Sequence, residues 1–103
     1  MEIGIFWTVF AQKQLKSIFK CYLEKASYWR AKDLTDGIFN HTLSLSGKPL
    51  MGQSEPLLLD YKEDLRYLVF KSYRIVYWHN STLNRIEITD VFDARQYPEK
   101  IKI

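Results

Sequence analysis

The hydrophobic period of this chain changes near residue 12. Ile3, Ile5, Trp7 and Val9 alternate with Gly4, Phe6, Thr8 and Phe10, the two-residue repeat of a strand carrying apolar side chains on both faces. From Gln12 the spacing changes: Leu15, Ile18, Phe19, Tyr22 and Leu23 fall on one stripe of an amphipathic helix, with Lys13, Lys16, Lys20 and Glu24 opposite. One backbone conformation cannot serve both periods. A first strand, buried on both sides, therefore gives way to a helix.

Ser27 is placed to cap a second helix, whose stripe is Ala31, Leu34 and Ile38 and whose end falls near Leu45. Few residues separate the two helices, so they fold back as an αα-hairpin and bury their stripes against another layer. Ser46 to Pro56 is rich in Pro, Gly and Ser and reads as a loop. Beyond it, Leu65 to Phe70 and Tyr73 to Trp78 are strand-like, joined by Lys71-Ser72. The polar stretch His79 to Asn84 then leads to an alternating run, Ile86 to Phe92. The expectation is one α+β domain over residues 1–103: an N-terminal strand, an αα-hairpin and a three-stranded antiparallel meander. The sheet is antiparallel, with the helices on one face.

Composition limits what the chain can do. The chain has 103 residues, sixteen of them aromatic, enough for a core without metal or disulfide and too few for a separate cofactor domain. Cys21 is the single cysteine, which argues against a disulfide scaffold or structural zinc site and for a reducing, cytoplasmic setting. The longest apolar stretch, Ile3 to Ala11, falls far short of the ~20 residues of a membrane span, and Met1-Glu2 before it lacks the positive start of a signal peptide. Net charge is +3, but it is segregated. Residues 1–32 hold six basic and two acidic side chains, residues 33–64 two and six, and residues 65–103 seven and four.

The signatures of serine hydrolases, P-loop and dinucleotide-binding proteins and zinc proteases are absent from the sequence. His41 and His79 read as solvated or capping histidines, and Cys21 as a partly buried small hydrophobe. Asp60, Glu63 and Asp64 read as a solvated turn, and Lys13, Lys16 and Lys20 as a solvated face able to steer toward a polyanion or an acidic protein. Strand alternation puts Arg74, Val76 and Trp78 on one face and Tyr73, Ile75 and Tyr77 on the other. An arginine in an apolar strand either meets a carboxylate such as Asp90 or Asp93, or lies at a sheet surface awaiting a ligand. Arg66, Lys71 and Arg95 on neighbouring strand ends can join it in a basic, aromatic-lined concavity suited to phosphate or an acidic partner.

Particular words of the sequence add a resemblance. Trp7-Thr8 and Ala11 are followed by Leu15, Ile18, Tyr22 and Leu23, then Ser27, Ala31, Leu34 and Ile38, with Pro49 and Gly52 in the loop. The most specific are Arg66, Leu68 and Val69, the run Tyr73-Arg74-Ile75-Val76-Tyr77, and Val91-Phe92-Asp93 with Arg95-Gln96 and Pro98. In these residues, over roughly 3 to 101, the chain resembles the RelE/ParE toxins of type II toxin–antitoxin systems, also described as plasmid stabilisation proteins.

The resemblance implies a toxin without cofactor or metal, neutralised by a cognate antitoxin that wraps its sheet and helix surfaces, alone or as a homodimer or toxin–antitoxin hetero-oligomer. RelE-like members cleave messenger RNA on the ribosome with basic residues of the central strands and a basic or aromatic residue near the C-terminus. ParE-like members inhibit DNA gyrase and carry no nuclease site. Carried over to this sequence, a nuclease would use Arg74, Arg66, Arg95 and Tyr97. Target or antitoxin contacts would fall on Arg66, Lys71, Arg74, Trp78 and Arg95. The strand before Arg74 keeps only Arg66 where the nuclease branch places lysines, and Asp93 and Ala94 stand where that branch prefers basic residues. Cleavage through a ribose hydroxyl needs a proton acceptor, a proton donor and cations. Only the cations are evident here, which favours the ParE-like branch, with the RelE-like nuclease or a diverged antitoxin-binding scaffold as alternatives.

Overall fold

The computed structural model describes residues 3–49, 51–54 and 64–95. The chain runs through strand β1 (Gly4–Trp7), helices α1 (Val9–Lys25) and α2 (Tyr28–Leu43), a 3₁₀ turn (Ser44–Ser46), and strands β2 (Gln53–Ser54), β3 (Arg66–Phe70), β4 (Tyr73–Asn80) and β5 (Arg85–Asp93). The five strands form one sheet in the order β1-β5-β4-β3-β2.

The change of period is made by Thr8. Its hydroxyl accepts from the Ala11 N–H at 3.2 Å and donates to the Ile88 carbonyl at 2.9 Å. It thus caps α1 and ties the helix start to β5. Val9 and Phe10, expected in the first strand, are the first residues of α1. Ser27 caps α2 as its spacing suggests, accepting from the Arg30 N–H at 3.2 Å.

Leu34 and Ile38 of α2 and Ala11 of α1 pack with Leu68, Tyr73, Ile75, Tyr77, Ile86, Ile88 and Val91 into the main core between the helix pair and one sheet face, and Ala31 of α2 is buried as well. Gly37 allows α2 to approach closely, since a Cβ there would lie 2.5 Å from Cζ of Phe70. The helices cover one face, as expected.

Several expectations change. β1 is not buried on both sides: Gly4 and Phe6 are exposed while Ile5 and Trp7 are half-buried. Among the described residues it is an edge strand with β5 as its single neighbour, and the two helices cover only one of its faces. Nor is the sheet wholly antiparallel, because β1 pairs parallel to β5. A three-strand meander ends in the direction in which it began, which brings β5 alongside β1 with the same sense. The loop assigned to Ser46–Pro56 includes β2, which pairs with β3 through Gln53 and Ser54. β4 runs on through His79 and Asn80, which pair with Ile86 and Arg85. Leu23 and Cys21 of α1 are exposed. The contacting stripe there runs Ala11, Leu15, Ile18 and Tyr22, which leaves Cys21 on the rim of the α1–β5 cleft rather than partly buried.

β5 departs from strict alternation. Val76 pairs with Asp90 and Tyr77 with Ile88, leaving Thr89 as a bulge. Without it Val91 would fall on the face opposite Ile86 and Ile88, whereas all three enter the main core.

Candidate functional site

The sheet face opposite the two helices, on which no described helix lies, carries a cluster of arginines and aromatic rings. Tyr67 and Val69 of β3 lie opposite Val76 and Arg74 of β4, and Trp78 lies opposite Glu87 of β5, which in turn faces Phe6 of β1. Leu65, Val76 and Phe92 form a second small core on this side, with Tyr67 and Trp78 against it. The Arg74 guanidinium sits 4.5 Å from the centre of the Tyr67 ring, and that of Arg85 4.1 Å from the centre of Phe6. Glu87 accepts from Arg85 Nε at 2.9 Å and from Asn80 Nδ2 at 3.0 Å. The result is a surface of arginine–aromatic stacks held in register by cross-strand pairing.

The sequence offered two carboxylates for Arg74. Asp93 is excluded by parity: it pairs with Tyr73, on the helix side, and its carboxylate takes Arg95 Nε and Nη2 at 3.2 and 3.0 Å. Asp90 is buried, and its Oδ1 accepts from the Val91 N–H at 2.7 Å and from Gln14 Nε2 of α1 at 3.2 Å.

The other cations named from the sequence lie elsewhere. Arg66 is opposite Tyr77 on the helix side. It donates to the Gly52 carbonyl at 3.0 Å and to Asp64 Oδ2 at 3.0 Å. Lys71 stands at the tip of the β3–β4 hairpin, and Arg95 just beyond β5 is exposed. The single concavity thus separates into three places: Arg74 with Trp78 on the open face, Arg66 at the β2–β3 edge, and Lys71 with Arg95 at the hairpin end. Tyr97, Asp60, Glu63 and the Lys100–Ile103 tail lie outside the described residues. His41 is half-buried against Phe70, with ring centres 5.6 Å apart, and His79 is half-buried inside β4 with its Nε2 inaccessible. Of the two readings expected, solvated or capping, neither histidine is solvated, whereas His41 stands in the last turn of α2, where the Ser44 N–H reaches its carbonyl. Among the described residues, no three His, Cys, Asp or Glu side chains are grouped to hold a metal ion.

Phe6, Tyr67, Arg85 and Glu87 were not singled out by sequence reasoning. The signal was available for Arg85 and Glu87, since both alternate with Ile86 and Ile88. Phe6 was hidden by the apolar character of both sides of its strand.

Across the molecule, Trp7, Leu15, Phe19 and Phe39 line an apolar groove of about 440 Å³ between β1 and the two helices, with Gln12, Lys16 and Thr35 at its edges. Trp7 stacks on Phe39 at 6.1 Å, and no partner reaches its buried indole N–H among the described residues. Phe10, Leu23, Tyr28, Trp29 and Leu43 add further exposed apolar surface on the helices. No described helix is long and apolar enough to cross a membrane.

An edge strand parallel to the last strand, a helical hairpin over one face and an open second face define an α+β fold shared with a solved structure of the chromosomal ParDE toxin–antitoxin system from P. aeruginosa. That structure has a TM-score of 0.73 and 16% identity, with 88% of this chain and 95% of that one covered. The family described as the ParE toxin of the type II toxin–antitoxin system parDE matches residues 5–98. The chain belongs to this family. No curated protein matches the sequence.

Proposed function

We propose that this chain is a ParE-like toxin that acts in the cytoplasm by binding and inhibiting DNA gyrase and is held inactive by a cognate antitoxin. The observation that carries the choice of activity is the charge pattern of β3 and β4. The β3 residues on the open face are Tyr67 and Val69, while Arg66 points to the helix side and is engaged by Gly52 and Asp64. Arg74 is the β3–β4 cation on that face, and the carboxylate of Glu87, further along the face opposite Trp78, is occupied by Arg85 and Asn80. A surface of this kind suits docking better than proton transfer, which requires an acid and a base at the reacting oxygens. In this reading Arg66, Lys71, Arg74, Trp78 and Arg95 contact the target or the antitoxin. The solved ParDE system supports an antitoxin partner, and the apolar helix groove with Lys13, Lys16 and Lys20 nearby suits an acidic amphipathic segment.

The test is a supercoiling assay with purified protein. Loss of gyrase supercoiling, restored by the product of an adjacent antitoxin reading frame, is the expected result. Unchanged supercoiling accompanied by cleavage of ribosome-bound message would overturn it in favour of the nuclease.

A further inference from the structure

A second polar site lies at the hairpin end, on the helix side. A cavity of about 440 Å³ opens between the start of α2, the β3–β4 turn and the end of β5, and its lining includes Arg30, Lys71, Ser72, Tyr73 and Arg95. Three cations therefore reach one space from three different elements. Among the described residues neither Arg30 nor Lys71 has an ion-pair partner. Arg95 is oriented by two contacts to Asp93, at 3.2 Å through Nε and 3.0 Å through Nη2. That arrangement uses Nε and Nη2 and leaves Nη1 outside the pair. Asp33, also on the wall, is the one carboxylate of the lining.

Two features mark this as more than a solvated basic patch. Lys71 holds φ at 56°, a left-handed conformation at a hairpin tip where glycine or asparagine would sit without strain. Its ammonium lies 5.7 Å from the centre of the Phe70 ring, which steadies the side chain. Tyr73, whose side chain is buried, is pushed well above its ordinary pKa by that burial, with the Tyr22 hydroxyl beside it.

We propose that Arg30, Lys71 and Arg95 form a binding site for a phosphoryl group. A tetrahedral dianion presents oxygens toward three sides at once, matching cations that converge from three elements, whereas one carboxylate is satisfied by a single arginine fork. The phosphoryl group can come from a small phosphate or from a nucleic-acid backbone. This site goes beyond the toxin reading, and its test contains neither gyrase nor antitoxin, so its failure would leave that reading intact.

The experiment titrates inorganic phosphate into the isotopically labelled full chain and follows amide resonances. Saturable shifts are expected at Arg30, Ser72, Tyr73 and Arg95, with binding at least about tenfold weaker in Arg30→Gln/Lys71→Asn. Asparagine tolerates the left-handed position, and Lys71→Asn alone, expected to weaken binding several-fold, serves if the double variant does not fold. A labelled single-stranded oligonucleotide, followed by anisotropy, separates the sources. Competition with phosphate and a steep salt dependence assign the site to a backbone; no competition assigns it to a small phosphate. Shifts that do not saturate, or that persist undiminished in folded variants, would overturn the proposal.

Discussion

Tyr77 shows how much of this fold rests on single polar contacts. Its ring is fully buried in the main core, and its hydroxyl accepts from the Gly52 N–H at 2.8 Å. A Cβ at Gly52 would come within 2.6 Å of that hydroxyl and 2.8 Å of the Tyr67 carbonyl, so glycine is required by close approach. Tyr77→Phe strands a buried N–H and is expected to cost about 1–3 kcal/mol in chemical denaturation, with little change in the fold. Tyr73 gives a pH signature. Its phenol titrates higher in the folded chain than in the unfolded one, chiefly through burial. The unfolded state therefore releases this proton first, and the associated stability is complete below about pH 10 and falls as pH rises further. Denaturation midpoints measured from pH 8 to 11 should decline, and Tyr73→Phe should flatten that decline. An unchanged slope would remove Tyr73 as its source.

At the level of elements, the informative cases are boundaries and parities. Thr8 ends a strand and starts a helix with one hydroxyl, bonding at both ends. Thr8→Ala should cost about 1–2 kcal/mol in equilibrium unfolding; a neutral outcome would mean that solvent replaces the cap. The helical stripes and the β4 alternation were readable because each obeys one period. β1 was misread for the same reason. Its residues are apolar on both sides, and local sequence cannot distinguish a strand covered twice from an edge strand whose outer side chains stay partly open, as Phe6 does at 40% exposure. The Thr89 bulge was equally hidden, since one extra residue alters parity without altering composition.

Over the whole molecule, chain order specified the layers and the hairpin, while the placement of cations depended on register. Arg66 and Arg74 are both on strands of one hairpin, yet the pairing of Arg66 with Tyr77 and of Val69 with Arg74 sends them to opposite faces. Arg30, distant in sequence from Lys71 and Arg95, meets them at one cavity because α2 begins above the β3–β4 turn. The apolar groove of Trp7, Leu15, Phe19 and Phe39 likewise joins residues of three elements. From sequence alone came the α+β class, the order of the main elements and the Ser27 cap, because these follow from local periodicity and short-range hydrogen bonding, and, through the resemblance of particular residues, the family. Tertiary structure alone decided the parallel edge strand, the bulge and the division of basic residues among three sites, because each depends on which backbone lies alongside which.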